Sequence, residues 1–440
     1  MPEDSALRDT VAAIWRLESA RIVAHAARLV RDLDRAEELA QDALLAALET
    51  WPRDGLPSNP AAWLMTTAKH RALDHLRRVA MQARQEEALA QDLQSLQADV
   101  EPDFAPELIR SLDQAADAAH IDDDLLRLLF IACHPVLPPA SRLALTLRLL
   151  GGLSTAEIAR ACLQPEPTVA QRIVRAKRTL ADSGLPFELP QGEARREALG
   201  SVLAVIYLMF NEGHAASQGE GWMRPTLCEE ALRLARVLAG LSPQEAEVHG
   251  LLALLEIQAS RLAARLDEQG QPVLLMDQDR RRWDALLIRR GLGALARAEA
   301  LAQQDAAGPG PYQLQAAIAA CHARAATAEA TDWAAIVAGY DALMARYPSP
   351  VVRLNRAVAV SRLSSEQGGG PAVALALLQP LRELPALRDY PWLASAEGDV
   401  LERLGRREEA RVAFERAAAL SGNAQDQALL RARAQALKPC

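Results

Sequence analysis

From Glu86 to Asp124 the chain carries twelve acidic side chains and a single base, Arg110, a balance of −11. A block of like charge this long repels itself and cannot be folded into an apolar interior. Pro102 and Pro106 interrupt any helix within it. The chain is therefore expected to form bodies on either side of a solvated acidic tether. The boundaries read as 1–85, 86–124, 125–185 and 190–440, with a proline-containing joint, SGLPFELPQG, at 183–192. A second reading makes the tether a mobile strip that mimics or competes for nucleic acid.

The bodies are expected to be helical. Half of the 440 residues are hydrophobic but only 4% are aromatic, and the Ala, Leu, Arg and Glu that dominate are helix formers. From Arg21 to Leu48, the residues Ile22, Leu29, Leu33, Leu39, Leu44 and Leu48 recur near helical spacing. The expected fold is all-α. The N-terminal MPEDSALRD lacks the basic and apolar regions of a secretion signal. The apolar run at 199–210 is shorter than the roughly 20 residues that span a membrane. Five cysteines form no CxxC pair, and no Cys/His cluster has zinc-ligand spacing. A cytoplasmic protein without a metal or cofactor is expected, and no membrane partner.

The net charge of −8 argues against a nucleic-acid partner only until it is resolved by segment. Residues 60–85 carry +4 and residues 138–181 carry +5, so the acidic tether separates two basic islands.

The second island, GGLSTAEIARACLQPEPTVAQRIVRAKRTL at 151–180, has the form of a helix-turn-helix. Ser154 and Glu157 make a capping box, QPEP makes the break, and Thr168 is placed to cap the second helix. Val169, Ile173 and Leu180 are expected to pack inward, which leaves Arg172, Arg175, Lys177 and Arg178 outward. A recognition helix of this kind lies in the major groove with its cations on phosphates.

The first island contains WLMTTAKHRALDHLRR at 63–78. At 100° per residue Trp63, Thr66, His70 and Arg77 share a face, with Thr67, Arg71, Asp74 and Arg78 beside it and Lys69 next to His70. Leu64, Ala68, Ala72 and Leu76 form an apolar stripe elsewhere. An aromatic, hydroxyls and cations on one face suit single-stranded or distorted DNA, since bases can stack while arginines hold phosphates. Trp63 reads equally as core, because large aromatics are highly buried on average.

Together these segments resemble the extracytoplasmic-function sigma factors of bacterial RNA polymerase. The family pattern W-L-x-x-I-A-x-N-x-x-x-D-x-x-R-R appears here as Trp63, Leu64, Ala68, His70, Asp74, Arg77 and Arg78, with Thr67 and His70 at the isoleucine and asparagine positions. The segment DRAEELAQDALLAALETWP (34–52) looks like the region-two helix that docks on the polymerase clamp, with Glu37, Glu38, Gln41 and Asp42 at its acidic, outward positions. The resemblance implies that PRDGLPSNP holds a flipped minus-ten base and that the helix-turn-helix is region four, which reads the minus-thirty-five element through Thr168, Arg172, Arg175, Lys177 and Arg178. Core RNA polymerase, through its clamp and flap, and promoter DNA are the implied partners.

The resemblance extends to the C-terminus. YLMFNEGHAASQG (207–219), LLMDQDRRRWD (274–284), GPYQLQAAIAACHA (310–323) and PSPVVRLNRAVAV (348–360) look like the long extension of one sigma subgroup. That extension is tetratricopeptide-like and carries a glycine-rich, proline-ended motif resembled by Gly368, Gly369, Gly370 and Pro371. Gly398, Ala410, Phe414 and Ala417 fall at tetratricopeptide offsets, and Ala372 precedes Ala410 by one approximate period. The extension is expected to regulate, through a partner or by contact with the sigma core. An enzymatic reading would use Glu212 with His214, or Asp277, Asp279, Arg280 and Arg281; no nucleophile–base pair or phosphate loop accompanies them. The competing reading of the whole chain is a helix-turn-helix regulator with a tetratricopeptide sensor that acts without polymerase.

Overall fold

The computed structural model describes residues 2–92, 118–162, 164–185, 190–215, 223–305 and 307–438. Most of the acidic block, at 93–117, lies outside the described residues, as do parts of the 183–192 joint and of the 207–219 motif. Among the described residues the chain is all-α: there are no strands, and one isolated bridge joins Leu266 and Pro272. The molecule divides into two compact units, Met1–Val205 and Ile206–Cys440.

The first unit opens with three helices, α1 (Pro2–Val30), α2 (Leu33–Asp54) and α3 (Pro60–Asp92). Asp32 starts α2 by accepting the Arg35 amide at 2.8 Å, a side-chain cap for an otherwise unpaired donor. The buried face of α2 consists of Leu33, Ala36, Leu39, Ala40, Ala43, Ala47 and Trp51. Leu48, placed by spacing on the apolar side, is exposed, and Leu44 is only half-buried. The alanines decide this, because they let α1 and α3 approach closely. The break foreseen at 51–60 is narrower: α2 runs to Asp54 and α3 begins at Pro60, with the Asn59 side chain accepting the Ala62 amide at 3.1 Å.

Four further helices follow: α4 (Ala118–Ala132), α5 (Pro139–Leu149), α6 (Thr155–Cys162) and α7 (Glu166–Asp182). Helices α3 and α4 continue into the two ends of the acidic block, and its last residue, Asp124, is buried rather than solvated. Its carboxylate receives Arg127 at 2.6 Å, Arg28 at 2.9 Å and the His25 ring at 3.2 Å. A carboxylate out of water needs partners of this kind, and here they tie α4 to α1. Ser154 and Glu157 form the expected capping box at the head of α6. Thr168 does not cap: α7 starts two residues earlier, behind Pro165. Helix α8 (Gly192–His214) crosses into the second unit.

The second unit continues with α9 (Pro225–Leu241), α10 (Ala246–Ala259), α11 (Ala285–Ala302), α12 (Pro311–Arg324), α13 (Trp333–Arg346), α14 (Pro350–Val360), α15 (Pro371–Leu378), α16 (Pro391–Arg403), α17 (Arg407–Leu420) and α18 (Ala424–Ala436). Successive helices stack in chain order. Their crossings are made at glycines: a Cβ on Gly291 would lie 2.7 Å from Ile257, and one on Gly250 2.7 Å from the Gln313 amide. In the last pair the ring of Phe414 lies against Gly398, and Ala410, Phe414 and Ala417 are fully buried. Ala372 does not match Ala410, since it is exposed while Ala374 is buried. The periodic correspondence between the two pairs is thus lost by two residues. The Gly368–Pro371 motif is a connector. Gly368 and Gly370 have φ of 74° and 110°, a Cβ on Gly369 would meet the Leu363 side chain, and Pro371 opens α15.

Replacing Gly398 by Leu drives a branched side chain into the Phe414 ring. The expected loss is about 1–3 kcal/mol of unfolding free energy, read by urea denaturation of the full chain.

Candidate polymerase and nucleic-acid interfaces

The basic face of α3 is assembled around a pair of tryptophans. Trp51 is buried, and Trp63 stands edge-on to it with centroids 5.5 Å apart. Trp63 is half-buried, so it is both a core residue and an edge of the outer face. Leu64, Ala68 and Ala72 are buried as foreseen, but the stripe continues through Leu73 rather than Leu76. Outward, His70, Asp74, Arg77 and Arg78 are exposed, with Lys69 and Arg71 half-buried beside them. Asp74 accepts Arg77 at 3.0 Å, its carbonyl accepts Arg78 at 3.3 Å, and Arg71 faces Asp42 at 3.4 Å. His75, on the neighbouring strip, has its pKa lowered by burial and then by Arg35 and Arg78. Burial and these cations disfavour its protonated form.

On α7 the three inward residues pack as expected, with Ala176 in addition. The outward set is different from the one read from charge. Arg175 and Arg178 are exposed along with Thr168, but Arg172 turns to Gln164 at 2.7 Å and Lys177 turns towards α2. In their place Gln171 and Val174 are exposed, Val174 at 65%. Thr168, Gln171, Val174, Arg175 and Arg178 make a continuous stripe by their i, i+3 and i+4 spacing. A search for cations passes over Gln171 and Val174, and only the burial of the opposite face points to them.

The four residues read as a docking face on α2 divide. Glu38 and Gln41 are exposed and Asp42 is half-exposed. Glu37 is not outward: its side chain is 12% exposed, with Arg148 of α5 at 2.5 Å and Lys177 at 2.7 Å. Lys177 also reaches Asp34 at 2.6 Å. Burial pulls the Lys177 pKa down, but the charges of Glu37 and Asp34 and hydrogen bonds to both outweigh it, so the ammonium is held above its ordinary range. Exposed Leu45 and Leu48 extend the Gln41 face along α2; of the two, Leu48 is the one that periodicity places inside.

Residues 14–81 match Sigma-70 region 2, residues 127–180 match Sigma-70 region 4, and residues 198–299 match a family of unknown function, DUF6596. The two sigma matches coincide with the two basic faces. This chain belongs to the extracytoplasmic-function family of RNA polymerase sigma factors. The sigma factor carries a helical C-terminal extension, in which the third match lies. An uncharacterized protein of Rhizobium meliloti (strain 1021) is 45% identical over 404 residues, 92% of this chain and 90% of its own. The ECF RNA polymerase sigma factor SigC of Mycobacterium tuberculosis is 28% identical over 158 residues, 36% of this chain and 75% of its own. A probable RNA polymerase sigma-C factor of Mycobacterium bovis matches to the same extent.

The extension's polar motifs have structural work. Glu212 pairs with Arg224 at 2.6 Å rather than with His214. His214 stacks on Phe210, and burial followed by the charges of Arg265 and Arg261 holds it neutral. Arg280 donates to the His322 and Ala325 carbonyls at 2.6 Å and lies over Trp283. Asp279 and Arg281 form an exposed pair, and Asp277 is exposed. Glu212 and Asp279 are thus each paired with an arginine. Among the described residues no His/Cys/Asp/Glu group could hold a metal, and no helix is long and apolar enough to cross a membrane. A groove of about 1120 Å³ runs along α12 to α18, with Trp333, Tyr340, Trp392, Arg362 and Arg403 in its walls.

Lys177 supplies a pH signature. Because its folded pKa is raised, its contribution is complete below the ordinary lysine range and is lost as pH rises through the folded value. Lys177→Met is expected to lower unfolding free energy by about 1–3 kcal/mol at neutral pH. It is also expected to remove part of the alkaline loss of stability above about pH 10.5, both read as wild type minus variant across a pH series of denaturation curves.

Proposed function

We propose that this sigma factor binds core RNA polymerase and directs promoter recognition and melting in the cytoplasm. The observation that carries the reading is the exposed stripe on α7, in the same chain as a second cationic face on α3. Helix α2 would meet the polymerase clamp through Glu38, Gln41 and Asp42, with Leu45 and Leu48 as apolar neighbours, and region four would meet the flap. The α3 face would hold the melted minus-ten strand: the half-buried Trp63 would offer its exposed part to a base, and Lys69, His70, Arg71, Arg77 and Arg78 would meet phosphates while Asp74 orients Arg77. Thr168, Gln171, Val174, Arg175 and Arg178 would enter the minus-thirty-five major groove. There Gln171 suits the N6 and N7 of adenine, and Val174 suits a thymine methyl. The extension would act as a binding module whose groove receives a regulatory partner.

The competing reading is a regulator that binds duplex DNA without polymerase. It gives the acidic face of α2 no task. Glu38→Lys with Asp42→Lys is therefore expected to abolish run-off transcription by purified core polymerase while direct binding to promoter duplex persists. Unchanged transcription would remove α2 from the interface. Duplex binding without any transcript from the wild-type chain would favour the regulator.

Two substitutions on α7 separate position from sequence reading. Arg175→Ala is expected to weaken all duplexes alike and to reduce the slope of log affinity against log salt by about one. Gln171→Ala is expected to relax preference at one base pair by about 1–3 kcal/mol and leave the slope unchanged. Fluorescence anisotropy over a salt series and a panel of single-base variants reads both.

A further inference from the structure

Residues 280–297 hold six arginines against one acid, Asp284, a balance of +5. This equals the charge of the whole helix-turn-helix island in less than half its length, and neither sigma region uses it. The structure divides the six. Arg280 is turned inward onto the His322 and Ala325 carbonyls, and Arg281 is paired with Asp279. Asp284 is engaged at the head of α11, where it accepts the Leu286 and Leu287 amides at 2.8 and 3.0 Å. Four cations remain outward: Arg282, Arg289, Arg290 and Arg297.

Packing sets where they point. Gly291, Leu295, Ala298 and Ala302 are the buried side of α11, and Gly291 is pressed on Ile257 of α10. At 100° per residue Leu286, Arg289, Arg290, Gly293 and Arg297 fall within about a third of the circumference, opposite that seam. All five are exposed, apart from Glu299, which lies off the arc. The contacts these cations make leave most of their charge uncompensated. Arg282 donates to the Leu266 and Ala263 carbonyls, and Arg297 to the Pro243 carbonyl and the Gln244 side chain. Arg290 stands 3.5 Å from Glu256, but that carboxylate already accepts Arg236 at 3.0 Å. Arg289 has no partner among the described residues.

We infer that the outer face of α11 is a further DNA-binding surface of this chain, which takes the phosphate backbone of a duplex without reading its sequence. Guanidinium groups match phosphate oxygens in geometry as well as charge. A straight run of them with no carboxylate between suits a partner whose charge is uniform along its length. Gly293, at the centre of the stripe, has open space where a side chain would stand, so a phosphate backbone can come close to the helix. The stripe carries no Asn or Gln to address a base edge, which leaves it a positioning contact. This inference rests on the proposed promoter binding, to which the extension adds phosphate contacts.

The test uses the full chain and promoter duplex, with affinity followed over a salt series. Arg289→Gln with Arg297→Gln removes two cations and leaves Arg290 on Glu256 and Arg282 on its loop carbonyls. The slope of log affinity against log salt is expected to fall by about two, so that the affinity lost between about 0.05 and 0.2 M salt shrinks about tenfold. Arg289→Lys with Arg297→Lys is expected to keep the wild-type slope. Ala300→Lys, exposed on the same arc, is expected to steepen it by about one. An unchanged slope in the Gln variant overturns the inference. So does a rise in its duplex affinity, which would show that the stripe holds an acidic segment of the chain itself. Weaker binding of core polymerase at an unchanged slope also overturns it and gives the stripe to an acidic protein surface. If the Gln variant loses its helical circular dichroism, Ala300→Lys decides, and a constant slope there overturns the inference. Failure of the promoter reading is distinct: Arg175→Ala would then leave the slope unchanged whatever the α11 variants do.

Discussion

Close approach of helices is the constraint on which both units depend. With aromatics at 4% of the residues, the interiors must be filled by Leu and by backbones brought near one another through Ala and Gly. On α2 this produces a buried face of four alanines between Leu33 and Trp51. In the extension it produces the glycine crossings at Gly250, Gly291 and Gly398, each of which leaves less room than a methyl group requires. Interiors are packed like crystals, so such crossings set the angle and register of each helix pair. The exposed faces follow from that register.

Charge works on a second level. The acidic whole and its basic islands do not stay apart in the folded chain. Asp124, the last acid of the block, is buried between Arg28 and Arg127, and Glu37 is held by Arg148 and Lys177. Each arrangement satisfies a carboxylate that would otherwise lose its hydration. What remains exposed on α3 and α7 is the surplus of cation. It is smaller than the count of Lys and Arg implies, and it is sharper in position.

The extension belongs to the same logic. Its polar motifs, which look like chemistry when read as strings, hold loops to helices: Arg280 gathers two carbonyls at the end of α12, and Gly368 and Gly370 turn the chain into α15. The groove left along α12 to α18 has aromatic walls in which Arg362 and Arg433 pair with Asp399.

By itself the sequence determined the helical class, the helix-turn-helix with its Ser154–Glu157 cap, the inward set Val169, Ile173 and Leu180, and the cationic character of α3. These follow from local spacing and from chemistry within a few residues, which a string displays. Only the tertiary structure decided which face of α2 is covered, that Leu48 lies outside, that Glu37 and Lys177 turn to one another, and that Gln171 and Val174 complete the α7 stripe. Periodicity fixes the angles between side chains on one helix but not which angle faces a neighbour. Lys177 and Glu37 are separated by 140 residues. Nothing in the local pattern of either helix carries information about the other, so their meeting is settled only by packing.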